Sequence, residues 1–158
     1  MKWFQIRILH RIIGTNIVLN AMGLTNTINC TFCNDDRDSI HHFLWDCTCI
    51  QNFWNDLERL FNEKCENASN LRITRNIILF GFDEHIKTDS AFDFVILYAK
   101  LYIYKCKIGK CLPVIPVFLR ELTLRYNIEK HNAKVTDNLL KFDIEWHYCK
   151  QLFLTENV

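Results

Sequence analysis

Residues 29–54 read NCTFCNDDRDSIHHFLWDCTCIQNFW and concentrate soft metal ligands in a short stretch. Cys30 and Cys33 form a Cys-x2-Cys pair, and His42 and Cys47 form a His-x4-Cys pair after eight intervening residues. Structural zinc sites use four thiolate and imidazole ligands in a tetrahedron, and a two-residue gap lets a tight turn direct both sulfurs at one ion. The spacing predicts one closed Cys3His zinc site, which stabilises a fold and has no open position for catalysis.

The second ligand pair has rivals in the same stretch. The candidates for its two positions are His41, His42, Cys47 and Cys49, with Asp36 and Asp46 as weaker ones. Residues five apart on a regular helix point about 140° apart, so His42 and Cys47 can share an ion only if the helix is interrupted between them. Thr48 and Gln51 have the spacing of a capping box, which predicts a new helix directly after Cys47. Cys47 would then lie among unpaired helix-start N–H groups, which favour a thiolate.

Apolar periodicity elsewhere predicts an all-α protein. The predicted helices cover residues 3–13, 16–22, 49–63, 72–80, 89–108 and 117–152, the last with a break near 127–132. Residues 65–70 lack large apolar side chains and form the best internal boundary. We therefore expect a zinc-stapled helical module at residues 1–66 and a helical bundle at residues 71–153, packed together as one unit.

Three of these helices carry expectations about which faces are buried. In the first helix the inward positions are Trp3, Phe4, Ile8, Leu9 and Ile12. The helix at 49–63 should turn an aromatic face towards the core rather than towards a nucleic-acid base. The helix at 89–108 is apolar around most of its circumference, with a narrow polar stripe of Asp93, Lys100 and Lys107.

Composition excludes several classes of protein. A chain of 158 residues with 49% hydrophobic and 13% aromatic residues is a folded globule rather than a disordered segment. No uncharged apolar run approaches the roughly 20 residues that a membrane span requires. The N-terminal sequence MKWFQIRILHRII lacks a secretory signal, so we expect the eight cysteines to occupy a reducing intracellular compartment, cytoplasm or nucleus.

Charge is distributed unevenly along the chain. Residues 30–66 carry eight acids and three bases, whereas residues 98–134 carry eight bases and two acids. A basic segment can neutralise nucleic-acid phosphates, although exposed helix faces also carry such residues without binding anything. The candidate phosphate-binding residues are Arg7, Arg11, Lys105, Lys107, Lys110, Arg120 and Arg125.

The ligand motif, followed by a helix that contains Phe53-Trp54, resembles the zinc-binding region near the C-terminus of non-LTR (LINE-type) retrotransposon reverse transcriptases. The upstream sequence FQIRILHRII at 4–13 and the downstream segments Ile78-Leu79-Phe80-Gly81 and Glu145-Trp146 extend the similarity over roughly residues 3–153. The resemblance implies a non-catalytic region that engages an RNA or RNA/DNA template. It also implies that the polymerase domain of a longer polypeptide is a partner of this region. We expect the region to bind neither a membrane nor a small-molecule substrate.

The sequence gives little support to catalysis by this chain. Asp35-Asp36 follows Asn34, lies within three residues of Cys33, and lacks the apolar strand residues that flank a polymerase aspartate pair. Neither Asp-x-Lys nor Glu-x-Lys, as found in restriction-type nucleases, occurs, and the His-Glu-x-x-His element of zinc hydrolases is absent. We expect no enzymatic activity. The alternative function is a structural scaffold or protein-interaction module with a purely structural zinc site.

Overall fold

The chain folds as an all-α protein, as the sequence predicts. A computed structural model describes residues 2–65, 71–81 and 90–153. The α-helices in these ranges are α1 (Lys2–Leu9), α2 (Asn16–Ala21), α3 (Thr48–Lys64), α4 (Arg75–Phe80), α5 (Ser90–Gly109), α6 (Ile115–Val135) and α7 (Leu139–Glu145), with a π-helical turn at His42–Asp46 and a 3-10 turn at Lys150–Leu152. Within the described residues, no helix combines the length and the apolar character needed to cross a bilayer.

Agreement with the expected helix bounds is best in the N-terminal half. The helices predicted at 16–22 and 49–63 are confirmed to within one residue at each end. Helix α4 begins three residues later than predicted, because the Thr74 hydroxyl caps it by accepting from the Ile77 N–H. Most of the predicted boundary at 65–70, and the predicted start of the fifth helix at 89, lie outside the described residues.

The first helix is shorter than predicted. It ends at Leu9, and Arg11 then adopts a left-handed conformation with φ of 56°. The helical periodicity therefore stops before this point, and Ile13 is buried while Ile12 is exposed. Phe4 and Ile8 are buried as predicted. The inward positions that the prediction assigned wrongly are Trp3, Leu9 and Ile12.

The predicted last helix is two helices followed by a 3-10 turn. Helix α6 carries Pro116 in its first turn, where a missing N–H is tolerated, and ends at Val135. Asp137 has φ of 55°, and the Asn138 side chain donates to the Thr136 carbonyl at 2.9 Å. Short polar side chains that bond to the nearby backbone compete with the helix. The break therefore follows the predicted region at 127–132 instead of lying within it.

One cluster of buried side chains joins the half of the chain that contains Cys30, Cys33, His42 and Cys47 to the C-terminal helices. Phe53 of α3 packs edge-on against Phe118 of α6, with ring centroids 5.5 Å apart, and Phe61 packs in the same way against Phe92 of α5 at 5.1 Å. The aromatic face of α3 is therefore core, as expected. Aromatic pairs of this geometry add to the stabilisation from burial alone.

Lys100, in the middle of α5, is buried although it is a lysine. Its ammonium donates to Gln5 Oε1 of α1 at 2.5 Å and to the Ile78 carbonyl of α4 at 2.6 Å. Burial lowers the pKa of Lys100 to about 8, against a smaller opposing effect of Asp93. The lysine thus ties three helices together, and its charge is costly to keep in place.

Lys100 should give the free energy of unfolding a pH dependence of defined sign. Below pH 8 both states hold the proton, and the cost of the buried charge is fully present. Between about 8 and the ordinary pKa of 10.5 the unfolded chain binds more protons, so stability rises with pH, by roughly 3 kcal/mol in total. Denaturant unfolding at stepped pH measures this contribution as the difference between the native chain and Lys100→Met.

The matched control is Lys134→Met, which removes an exposed lysine from α6. Lys134→Met should keep the rise in the free energy of unfolding with pH, whereas Lys100→Met should lose it. A native-minus-Lys100→Met difference that stays flat from pH 8 to 10.5 would contradict the assignment of the slope to this buried ammonium.

Candidate metal centre

Cys30, Cys33, His42 and Cys47 come together in a group that could hold a metal ion. One ligand atom from each residue lies within 4.8 Å of the others. The Cys30 and Cys47 sulfurs are 3.9 Å apart, and the Cys33 sulfur is 3.3 Å from His42 Nε2. Metal–thiolate bonds of about 2.3 Å in a tetrahedron separate two sulfurs by roughly 3.8 Å. The observed spacing therefore fits four ligands around one ion.

The first ligand pair is held by a compact knuckle. The Cys30 N–H donates to the Asp36 carbonyl at 2.7 Å, and the Asn34 N–H donates to the Cys30 carbonyl at 2.9 Å. Asn34 takes a left-handed conformation with φ of 58°, which asparagine tolerates better than most residues. A single β-bridge between Asn29 and Arg37 closes the base of the knuckle. These contacts direct the sulfurs of Cys30 and Cys33 to the same side of the knuckle.

The second pair is brought together by the π-helical turn at His42–Asp46. Its closing hydrogen bond runs from the Cys47 N–H to the His42 carbonyl at 2.9 Å, across five residues. A turn of this width places residues five apart nearly above one another, which a regular helix does not. The interruption that the sequence requires between His42 and Cys47 is therefore a widened turn.

Helix α3 begins directly after Cys47, as predicted, but not through the predicted capping box. Cys47 is itself the N-terminal cap, and no side-chain hydrogen bond caps the helix. Thr48 is already the first helical residue, so its side chain is one position too late to act as the cap. The Ile50 and Gln51 N–H groups both donate to the Cys47 carbonyl at 2.9 Å. The backbone N–H groups of Cys49 and Ile50 also lower the pKa of the Cys47 thiol, against the larger effect of its burial. The expected position of Cys47 at the mouth of the helix is confirmed.

The pKa values of the three thiols in the group are shifted in different directions. Burial is the main influence on each thiol, and it raises the pKa of Cys30 and of Cys47. At Cys33 burial is outweighed by the backbone N–H groups of Asp36 and Asp35 and by His42, so its pKa is lowered to about 7. Buried thiolates need a compensating positive charge, and a bound cation supplies one.

The rival ligands lie outside the group. The Cys49 sulfur is directed at the Phe32 carbonyl, 3.9 Å away. His41 is not in the group, and its Nδ1 atom is buried without a hydrogen-bond partner among the described residues. Asp36 approaches His42 from the other side of the ring, with 3.9 Å between its carboxylate and Nδ1. This distance is too long for a hydrogen bond, so the carboxylate lies near Nδ1 without fixing the ring.

A buried ion pair attaches the knuckle to α5. The Lys107 ammonium lies 2.8 Å from the Asp38 carboxylate, and both side chains are almost fully buried. Lys107 also donates to Asn16 Oδ1 at 3.0 Å and to Thr31 Oγ1 at 3.4 Å. The Asn16 backbone N–H donates to the same carboxylate. This pair was not predicted from the sequence. The signal for it was the position of Lys107 on an almost wholly apolar helix, where a buried ammonium needs a partner.

The candidate phosphate-binding residues are scattered over α1, α5 and α6 and the turns that follow α1 and α5. Arg7, Arg11, Lys110 and Arg120 are exposed, and none of them forms an ion pair among the described residues. Lys105 is exposed and paired with Glu121 at 3.0 Å, and Arg125 with Glu129 at 2.9 Å. Lys107 is buried in the pair with Asp38, so it is not available to a phosphate in this conformation.

Comparison of the chain with known protein families finds no match, and comparison with curated proteins finds none either.

Metal binding should depend on the four grouped residues and not on their neighbours. Cys47→Ser should abolish binding of one divalent ion, whereas Cys49→Ser should leave it intact, because the Cys49 sulfur points to Phe32. His42→Ala and His41→Ala form a second matched pair with the same expected contrast. Titration with Co²⁺, followed by thiolate-to-metal charge-transfer absorbance, measures both stoichiometry and affinity. Binding that survives Cys47→Ser and is lost in Cys49→Ser would contradict the ligand set.

The Asp38–Lys107 pair should be strongly coupled. Removing one partner of a buried pair leaves an uncompensated charge and typically costs about 3–5 kcal/mol of the free energy of unfolding. Asp38→Asn and Lys107→Met should therefore each be strongly destabilising. The double variant should lose far less stability than the sum of the two single losses. The exposed Lys105–Glu121 bridge is the control, with a coupling expected below about 1 kcal/mol. Additive costs for Asp38 and Lys107 in denaturant unfolding would refute the coupling.

Proposed function

We propose that this chain is a zinc-binding, non-catalytic region that engages RNA, of the kind that its motifs resemble in non-LTR retrotransposon reverse transcriptases. The observation that carries the proposal is the convergence of Cys30, Cys33, His42 and Cys47 on one point, in the order and spacing of that resemblance. The resemblance also places a polymerase domain upstream on a longer polypeptide, as the partner of this region.

Zinc is the ion that best suits these ligands. Three thiolates and one imidazole are soft to borderline donors, and Zn²⁺ accepts their tetrahedral arrangement without a preference of its own for another geometry. Cys30, His42 and Cys47 are buried, so the fourth position is occupied by protein and water has little access. We therefore assign one structural Zn²⁺, held by the knuckle on one side and by the π-helical turn on the other.

Catalysis by this region is not part of the proposal. A closed zinc site offers no coordination position for a substrate or an activated water. Asp35 and Asp36 are exposed in the turn of the knuckle rather than lying at the end of strands. The four grouped residues offer sulfur and nitrogen donors, which suit Zn²⁺, rather than the oxygen donors that Mg²⁺ prefers.

RNA engagement is supported by a cavity of mixed lining beside the knuckle. The cavity has a volume of about 550 Å³. Its lining includes the polar residues Thr25, Thr27, Asn29 and Asn34, the aliphatic residues Leu19, Leu24 and Ile108, and exposed Lys110. Amide and hydroxyl groups can bond the edges of an unstacked base, and single-stranded RNA presents such edges. Exposed Arg7, Arg11 and Arg120 supply positive charge elsewhere on the surface.

A second candidate function is a scaffold that holds a polymerase domain in place. The buried Asp38–Lys107 pair and the aromatic contacts of α3 favour it, because they make the zinc knuckle part of a shared core rather than a free arm. Rigid attachment suits a docking element as well as it suits an RNA-binding one. The two functions differ in whether the isolated chain binds RNA through phosphates.

RNA binding should weaken steeply as salt is added, because each phosphate contact on a single strand contributes about −0.7 to the slope of log K against log salt. Reversing Arg11, Lys110 and Arg120 to glutamate should lower affinity for all sequences alike and flatten that slope by about 2. Fluorescence anisotropy of a labelled single-stranded RNA with the full chain provides both values.

The matched control reverses three exposed bases elsewhere, Lys64, Arg72 and Lys141, and so changes net charge equally. This variant should keep most of the affinity. A flat salt response of the native chain, or equal losses in the two triple variants, would reject phosphate-mediated RNA binding and leave the scaffold function.

A further inference from the structure

The C-terminal end of α5 brings two cysteines together. The Cys111 N–H donates to the Cys106 carbonyl at 3.0 Å, and the Lys110 N–H donates to the Lys107 carbonyl at 3.2 Å. Lys110 takes a left-handed conformation with φ of 52°. These features define a Schellman motif, in which the side chains of the first and last residues commonly contact each other. Here the first residue is Cys106 and the last is Cys111.

The two thiols lie close enough for a bond to form between them. The Cys111 sulfur is 3.8 Å from the Cys106 carbonyl oxygen, so this side chain folds back over the end of the helix. Burial raises the pKa of Cys106 to about 11, and nearby Cys111 adds to the rise, against an opposing effect of Tyr102. A disulfide spans α-carbons about 4.4–6.8 Å apart, and a main-chain hydrogen bond between the same two residues holds their backbones near that separation. Rotation of the two side chains is therefore the main change that a disulfide requires.

The two thiols differ in their exposure to solvent. All eight cysteines lie in the described ranges, and of these only Cys111 is exposed, whereas Cys106 is buried. A solute can therefore reach Cys111 directly, and Cys106 can react only with a group already attached to its neighbour. This division matches an attacking cysteine and a resolving cysteine.

The other thiols are less well placed for such a reaction. The Cys30 and Cys47 sulfurs are also close, at 3.9 Å, but both are buried, so neither can meet a solute first. Cys49 is half-buried, and its sulfur is directed at the Phe32 carbonyl. The pair at the end of α5 combines an exposed thiol with a buried neighbour.

We propose that Cys106 and Cys111 form a reversible disulfide by exchange with a low-molecular-weight disulfide of the glutathione type. The Cys111 thiolate attacks one sulfur of glutathione disulfide, which forms a mixed disulfide and releases one glutathione thiolate. The Cys106 thiolate then attacks the Cys111 sulfur and releases the second. Two protein thiols are thereby oxidised, one glutathione disulfide is reduced to two thiols, and the two protein protons pass to the released glutathione. Because burial disfavours the Cys106 thiolate, the second step is the slower one.

The charge and the conformation around the pair suit this exchange. Lys110 is exposed and forms no ion pair among the described residues, so it attracts an anionic disulfide to the neighbouring Cys111. The new bond closes a loop that contains Lys107, Ile108 and Lys110, which line the cavity beside the knuckle. A left-handed lysine is unfavourable, and the bond opposes opening of the turn that holds it. The proposal uses neither the zinc site nor RNA binding.

Reaction of the full chain with glutathione disulfide, in the presence of equimolar Zn²⁺, tests the proposal. Digestion and mass spectrometry without reductant should find the peptides of Cys106 and Cys111 linked, with two glutathione thiols released per chain. Cys106→Ser should stop at the mixed disulfide on Cys111, whereas Cys111→Ser should form neither product at this site. The matched control, Cys49→Ser, should form the bond as the native chain does.

The results that would overturn the proposal are equally specific. One is a glutathione adduct that persists on Cys111 of the native chain without a bond to Cys106. Another is oxidation confined to Cys33 or Cys49, with Cys106 and Cys111 still free. Cys111 is exposed, so Cys111→Ser should leave the fold intact and keeps the test decisive even if Cys106→Ser is unstable.

Hydrogen exchange provides an independent measurement of the same bond. In the oxidised chain the amide hydrogens of Lys110 and Cys111 should exchange about tenfold more slowly, because the disulfide opposes local opening of the turn. Added dithiothreitol should restore the original rates. Exchange rates at these two amides that are equal in the two states would contradict a bond across the Schellman motif.

Discussion

Three thiols and one imidazole gathered in a largely buried space pose an electrostatic requirement that the rest of the structure depends on. Burial raises the pKa of Cys30 and Cys47, which means that thiolates there are unfavourable without a nearby positive charge. Neutral thiols are weak hydrogen-bonding groups and would hold an irregular knuckle poorly. The Zn²⁺ that we propose would remove both difficulties. Structural zinc in small zinc domains contributes about 10–16 kcal/mol of apparent binding free energy, comparable to the stability of a whole domain.

The knuckle is connected to the remaining helices by buried polar contacts as well as by apolar packing. Lys107 and Lys100 lie on the same helix, α5, one directed to Asp38 of the knuckle and the other to Gln5 and the Ile78 carbonyl. A buried ammonium has few acceptable positions, because each of its donors needs an acceptor. These two lysines therefore fix how α5 is placed against α1, α4 and the metal-ligand loop more specifically than aliphatic side chains could.

The grouping of the four candidate ligands and the all-α class could be predicted because each rests on a local pattern. Spacing selected Cys30, Cys33, His42 and Cys47, and the angle between residues five apart required an interruption before α3. What the sequence did not reveal was the form of that interruption, a π-helical turn, since it depends on which backbone hydrogen bond closes. The C-terminal ends of α1 and α6 were also predicted wrongly, because Arg11 and Asp137 adopt left-handed conformations just beyond them. Such a conformation is uncommon for a residue other than glycine, so it is hard to predict from the sequence. The burial of Lys107 was missed because its partner, Asp38, is far away in the sequence.

X-ray absorption at the zinc edge of the purified full chain tests the central claim most directly, because it reports the atoms bound to the ion. A closed Cys3His site requires three sulfur neighbours at about 2.3 Å and one nitrogen at about 2.0 Å, with no oxygen in the coordination shell. That result, at one zinc per chain, is the expected outcome. A shell with two sulfurs, or one that contains a water oxygen, would contradict the closed structural site and the fold's dependence on it.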